Sequence, residues 1–227
     1  MAFVGSLVYH FVPKVVDRSE AERFTPSGEN ADPSANIDGI VKMDYAAGQH
    51  VMAPQRVGYD TSPPYGGPHD QYWATCTGTV YSSPIRVENA VHSLEHGAVW
   101  ITYDPERIGS DIETLTDKVD GQPYTMLSPF PGSSAPISLQ AWGRQLQVYD
   151  AQDKRITQFI AALRQNSNTA PEAGASCSTI PGGFDPSAPP PMDQTAPGPD
   201  ALPMPVGEGS DPAQIPLPGS GGTDGGK

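Results

Sequence analysis

The chain has 227 residues, 37% of them hydrophobic, which is enough for one compact domain with appendages. Its formal charge of −13, from 26 acids against 13 bases, argues against nucleic acid as a partner and against adhesion to anionic lipid through a basic patch. An acidic body is compatible with cation binding without requiring it.

At the N-terminus, MAFVGSLVYHFV supplies an apolar stretch that stops at Pro13, shorter than the roughly 20 residues a membrane span needs. A secretory signal would carry a basic n-region, which is missing. The expectation is that residues 1–13 are the outer end of a membrane anchor, a short amphipathic helix being the alternative. Residues 14–36 include DRSEAERFTPSGENADPSAN and read as a polar linker leading away from the bilayer. This topology puts a folded domain, residues 37–186, on the extracytoplasmic side of a cell membrane, held by a single pass.

From Gly48 to Ser83 the chain holds too many Gly and Pro for regular elements, yet it carries Tyr59, Tyr65, Tyr72 and Trp73. A long irregular segment this rich in aromatics is expected to be packed and functional. Pro84 and the polar Arg86 to Asn89 then lead into a short helix through His96, with Val91, Leu94 and Ala98 at i, i+3 and i+7 and Gly97 placed to end it. AVWITYD follows as a strand, with Val99, Ile101 and Tyr103 on one face and Trp100 and Thr102 on the other.

Ser110 and Glu113 form an S-x-x-E capping box, so residues 111–120 are expected to be a helix that stops at Gly121. YTML and ISLQAWG read as two strands joined by the turn-rich SPFPGSSAP. Ile156, Phe159, Ile160 and Leu163 mark an amphipathic helix over 153–165. The order helix, strand, helix, strand, strand, helix implies an α+β fold: a small, largely antiparallel sheet covered on one side by three helices. From Ser187 to Lys227 the Pro/Gly-rich sequence has no apolar periodicity and reads as a disordered tail.

The chain has two cysteines, Cys76 and Cys177. In an oxidising compartment they are most simply a disulfide, and closing a loop of that length contributes roughly 4.7 kcal/mol in the chain-entropy view. In a reducing compartment Cys76 would instead be a candidate soft metal ligand.

The residues that suggest chemistry lie in VHSLEHGAVW. His92 and His96 are one helical turn apart, roughly 5–6 Å between Cβ atoms, close enough for two imidazoles to share an ion. His96 also falls in the last turn, where the partial negative charge of the helix end favours a cation. His50 in GQHV and His69 in GPHD sit on turns that could fold over this helix and complete a set. H-S-L-E-H also matches H-x-x-E-H, in which two histidines hold zinc and the glutamate activates water. The blander role for Glu95 is as an outer acceptor that fixes an imidazole tautomer. No G-x-S-x-G and no phosphate-cradling glycine pattern is present.

GQH at Gly48–His50, YDTSPPYGGPHDQYW at Tyr59–Trp73 and PIRVENAVHSLEHGAVWITYDP at Pro84–Pro105 resemble a bacterial envelope family, domain of unknown function 3105. AWGR at Ala141–Arg144 and the late helix extend the resemblance over about residues 45–175. It implies a single-pass anchored protein with an outer domain, and it implies that His50, His69, His92, Glu95 and His96 belong to one motif set. The expectation is a copper or zinc site formed by His92, His96, His69 and His50, serving metal holding, delivery or sensing. Met43 and Met52 leave copper(I) open. The competing expectations are an envelope assembly module with a protein partner and no ion, and, behind it, a zinc hydrolase.

Overall fold

The computed structural model describes residues 19–204. In chain order the strands and α-helices are β1 (Val41–Lys42), β2 (His50–Val51), β3 (Val57–Gly58), β4 (His69–Asp70), β5 (Thr77–Val80), α1 (Val87–Glu95), β6 (Val99–Tyr103), α2 (Asp111–Val119), β7 (Thr125–Pro129), β8 (Ile137–Ala141), β9 (Arg144–Val148), α3 (Lys154–Leu163) and β10 (Leu202–Pro203). The fold is α+β. Six strands form one sheet in the order β1-β9-β8-β6-β7-β5.

The sheet is mixed. β8 pairs antiparallel with β6 and with β9, and β9 with β1, whereas β7 runs parallel to both β6 and β5. The parallel half comes from two crossovers, β5-α1-β6 and β6-α2-β7, which run in opposite directions across the sheet. Connections of one hand then fall on opposite faces, so helices cover both sides and not one, as patterning alone had implied.

The two cores follow from this. Val99 and Ile101 of β6 pack with Leu115 and Val119 of α2 and with Ile156, Phe159 and Leu163 of α3. Trp100, on the other face of the same strand, packs with Ala90, Val91 and Leu94 of α1, Met126 and Trp142. The expected alternation along β6 is therefore what separates the cores.

Several expectations are corrected. The S-x-x-E box makes no side-chain cap at α2, because Ser110 is itself in the helical region (φ −72°, ψ −12°), where a capping hydroxyl needs extended backbone. α3 is capped instead by Asp153, whose carboxylate accepts from the Arg155 amide at 2.9 Å. Three strands that sequence periodicity missed, β1, β5 and β9, extend the sheet; β9 turns back from β8 at Trp142–Gly143. The described part of the polar linker is packed. Phe24 lies in the first core, and Asp32 accepts from Arg144 and Lys42.

The Pro/Gly-rich segment is likewise laid down on the domain as far as Met204. The Arg86 amide donates to the Pro190 carbonyl, Arg56 pairs with Asp193, and β10 runs parallel to β3. Proline-rich chain suits this work because its carbonyls accept bonds from a surface while its missing N–H groups need no partner. The remainder of the tail, and the apolar stretch at residues 1–13, lie outside the described residues. No helix among the described residues is long and apolar enough to cross a membrane.

Cys76 and Cys177 are joined as a disulfide across 101 residues, and the Cys76 amide donates to the Cys177 carbonyl at 3.0 Å. The bridge ties the chain after α3 to the irregular segment before β5. Replacing both cysteines (C76A/C177A) should lower the free energy of unfolding by about 2–5 kcal/mol, read as a fall in urea midpoint. An unchanged midpoint would mean that this cross-link contributes nothing.

Candidate metal centre

Three of the candidate residues are presented by α1, whose position is fixed by polar bonds to the irregular segment. Asn89 Nδ2 donates to the Tyr72 carbonyl at 2.7 Å, its own carbonyl accepts from the Ala74 amide at 2.9 Å, and Ser93 Oγ donates to the Ala74 carbonyl at 2.7 Å. The helix stops just past Glu95. The Gly97 amide bonds the Leu94 carbonyl and the Ala98 amide bonds the Ser93 carbonyl, a Schellman ending that needs the left-handed backbone of Gly97, φ +89°. The carbonyls of Glu95 and His96 accept from the amides of Glu172 and Gly174. The loop before Cys177 is thereby moored to the end of α1.

The other two histidines arrive on a separate two-stranded parallel ladder. β2 pairs with β4 in a register that sets His50 opposite His69. This ladder is tied to α1 by Glu95, whose Oε1 accepts from the Gly48 amide at 2.7 Å. Four imidazoles then form one cluster, with ring centroids 4.9 Å apart for His50–His69, 5.0 Å for His50–His92, 4.8 Å for His69–His92 and 4.6 Å for His92–His96. Trp73 and Trp142 wall it, 4.8 Å from His96 and 5.7 Å from His69.

The protons of three rings are assigned by their partners. His69 Nδ1 faces the Gly67 carbonyl at 2.8 Å, His92 Nδ1 the Asp70 carbonyl at 2.6 Å, and His96 Nδ1 the Ser176 carbonyl at 2.8 Å. A carbonyl only accepts, so each Nδ1 carries a proton and a neutral ring leaves a lone pair on Nε2. Those lone pairs meet other acceptors. His92 Nε2 and His96 Nε2 are 3.0 Å apart, and His69 Nε2 lies 2.9 Å from Glu95 Oε2. The His69 and Glu95 atoms are buried and have no partner in hydrogen-bond geometry among the described residues.

Burial lowers the His92 imidazole to about 3; the bond to the Asp70 carbonyl opposes this, and the neighbouring rings of His69, His96 and His50 add to it. His96 is lowered for the same first reason, against the Ser176 bond and the nearby carboxylates. Glu95 is held below the ordinary carboxylate range: burial pushes it up, but the His69 ring and the Gly48 amide outweigh that. The result is a carboxylate beside two imidazoles, His92 and His96, that burial holds toward their neutral form.

The donor atoms fall into two groups, each compact enough to hold a metal ion. One is His50, His69, His92 and Glu95; the other is His92, His96 and Glu172. Glu95 thus stands among the donors themselves, where the sequence reading had it as an outer acceptor. Glu172, half exposed and 3.6 Å from His96 Nε2, was not singled out from sequence. Its position five residues before Cys177 was the available clue, since the disulfide returns that loop to Trp73 and Cys76. Cys76 is in the disulfide and offers no thiolate. Met43 and Met52 are exposed, and His10 lies outside the described residues.

The model of a protein family described as "Protein of unknown function (DUF3105)" matches residues 50–179. No curated protein and no solved structure matches the chain.

The depressed His92 carries a consequence for the metal-free protein. A ring that stays neutral when folded but accepts a proton near 6.5 when unfolded costs stability as pH falls from about 6.5 toward about 3, and nothing above that window. With a chelator present, urea midpoints of the wild type should fall between pH 7 and pH 4, and His92→Gln should flatten that fall. Parallel curves for the two proteins would count against a buried neutral ring.

Proposed function

The chain belongs to the DUF3105 family of proteins of unknown function, and since that description assigns no activity we propose from the site itself that it binds a single transition-metal ion. The single observation that carries this reading is the set of three rings whose Nδ1 protons are committed to backbone carbonyls, leaving buried Nε2 lone pairs facing acceptors at 3.0 and 2.9 Å. Such contacts repel unless a cation lies among them. A proton is one candidate, but burial disfavours imidazolium at His92 and His96, while a metal ion joins several donors at once.

The resting position is the group His50, His69, His92 and Glu95, because its carboxylate and two of its rings are buried and the carboxylate supplies compensating charge. Nitrogen-rich ligation with one carboxylate suits copper(II) or zinc. The role is metal holding, delivery or sensing by a domain tethered to the outer side of a cell membrane. The disulfide supports an oxidising compartment for the domain.

Two other readings fit less well. A partner-binding surface of an envelope assembly needs side chains that a partner can reach, and His69, His92, Glu95 and His96 are buried. Hydrolysis of the H-x-x-E-H kind needs Glu95 free to polarise water beside both helix histidines. Its Oε1 is occupied by the Gly48 amide, and its Oε2 is turned to His69.

Purified protein loaded with copper(II) or zinc(II) and desalted should retain about one ion per chain, and His92→Ala/His96→Ala should retain almost none, by elemental analysis. Folded wild-type protein that retains no metal would overturn the reading.

A further inference from the structure

The two donor groups share one residue, His92, and only one of its nitrogens is free, because Nδ1 is held by the Asp70 carbonyl. We propose that His92 is a pivot between two mutually exclusive metal positions: an inner one with His50, His69 and Glu95, and an outer one with His96 and Glu172. This rests on the metal-binding reading above and adds where the ion goes.

Both positions are built. In the outer one, His96 is aimed by the Ser176 carbonyl, and the Glu172 amide is fixed on the Glu95 carbonyl at 3.0 Å. The Cys76–Cys177 bridge anchors the same loop. In the inner one, His69 is aimed by the Gly67 carbonyl; Gly67 is at φ +97°, and a side chain there would overlap Met204.

The positions differ in accessibility in a way that suits transfer. His92, shared by both groups, is buried, while His50 of the inner group is exposed and the Glu172 side chain of the outer group is 49% exposed. An ion that exchanges His50, His69 and Glu95 for His96 and Glu172 while remaining on His92 Nε2 passes from the inner group to the outer one without a fully unligated step. Single ligands are then replaced one at a time, which keeps each barrier small.

Copper(II) is the probe, since nitrogen and oxygen sites of this kind bind it more tightly than the neighbouring divalent ions. Wild type should bind one ion. His69→Ala and Glu95→Gln, two separate lesions of the inner position, should each still bind one ion, at least about tenfold more weakly and with an altered nitrogen pattern in the electron paramagnetic resonance spectrum. Adding Glu172→Gln to either should reduce binding to the background of His92→Ala. Circular dichroism establishes that each variant is folded.

Two ions bound at once to the wild type would overturn the pivot, since one free nitrogen cannot serve both. So would folded His69→Ala and Glu95→Gln proteins that both bind nothing, or double variants that bind as well as the single ones. Absence of copper from the wild type would sink the metal reading itself, and this inference with it.

Discussion

Hydrogen bonds from three imidazole Nδ1 atoms to the carbonyls of Gly67, Asp70 and Ser176 govern the rest of the site. A backbone carbonyl cannot donate, so these bonds fix the tautomer, the ring plane and the direction of the remaining lone pair together. Carboxylate partners would have served orientation equally well, but each would have added buried negative charge beside Glu95. Carbonyls orient without charging, and the counter-charge of the pocket is left to whatever occupies it.

Two of those carbonyls, Gly67 and Asp70, lie close together in the irregular segment and the third, Ser176, lies far along the chain, and the fold brings them to one pocket. The Asp70 carbonyl is steadied because its side chain accepts from the Tyr72 amide and pairs with Arg86, which in turn reaches Glu88 and the Gln55 carbonyl. Gly67 sits in the GGPH turn between Tyr59, whose hydroxyl donates to the Pro68 carbonyl, and β4. Ser176 adjoins the disulfide. Among the described residues, the opposed crossovers put α1 on one face of the sheet and α2 and α3 on the other. The irregular segment packs on the same face as α1, through Tyr65, Ala74 and Cys76.

What could be read from sequence was whatever is encoded locally. α1, β6, α2 and α3 follow from short-range apolar spacing, and the ending of α1 at Gly97 follows from one residue's backbone freedom. His92 and His96 were legible as a pair because helical spacing is enough to place them. His50 and His69 were legible as candidates on turns and as members of a motif set, but nothing local says that β2 and β4 pair in register. Glu172 was illegible for the same reason, as it reaches His96 through a loop fixed by a bridge to Cys76. β5 and β9 were hidden because TGTV is short and half exposed and RQLQV is too polar to show a strand pattern, the burial of β9 coming from its sheet position. The proline-rich segment as far as Met204 misled because low apolar content excludes a core of its own and says nothing about lying on another.

The electrostatics of the pocket carry the last step. Glu95 is buried and held in its charged form, while His92 and His96 are held neutral by burial, so the metal-free pocket contains negative charge without a fixed positive partner on its own helix. Folding has to bear that desolvation, and an ion that binds only the folded state returns it through mass action, by about 2.7 kcal/mol when its free concentration is a hundred times Kd. Occupancy and stability are then one quantity seen from two sides. A cluster placed in a dry pocket with its protons assigned outward is costly for a protein that uses it only as structure. For one that must take up an ion and release it, the same cost is the difference in free energy between its empty and loaded states.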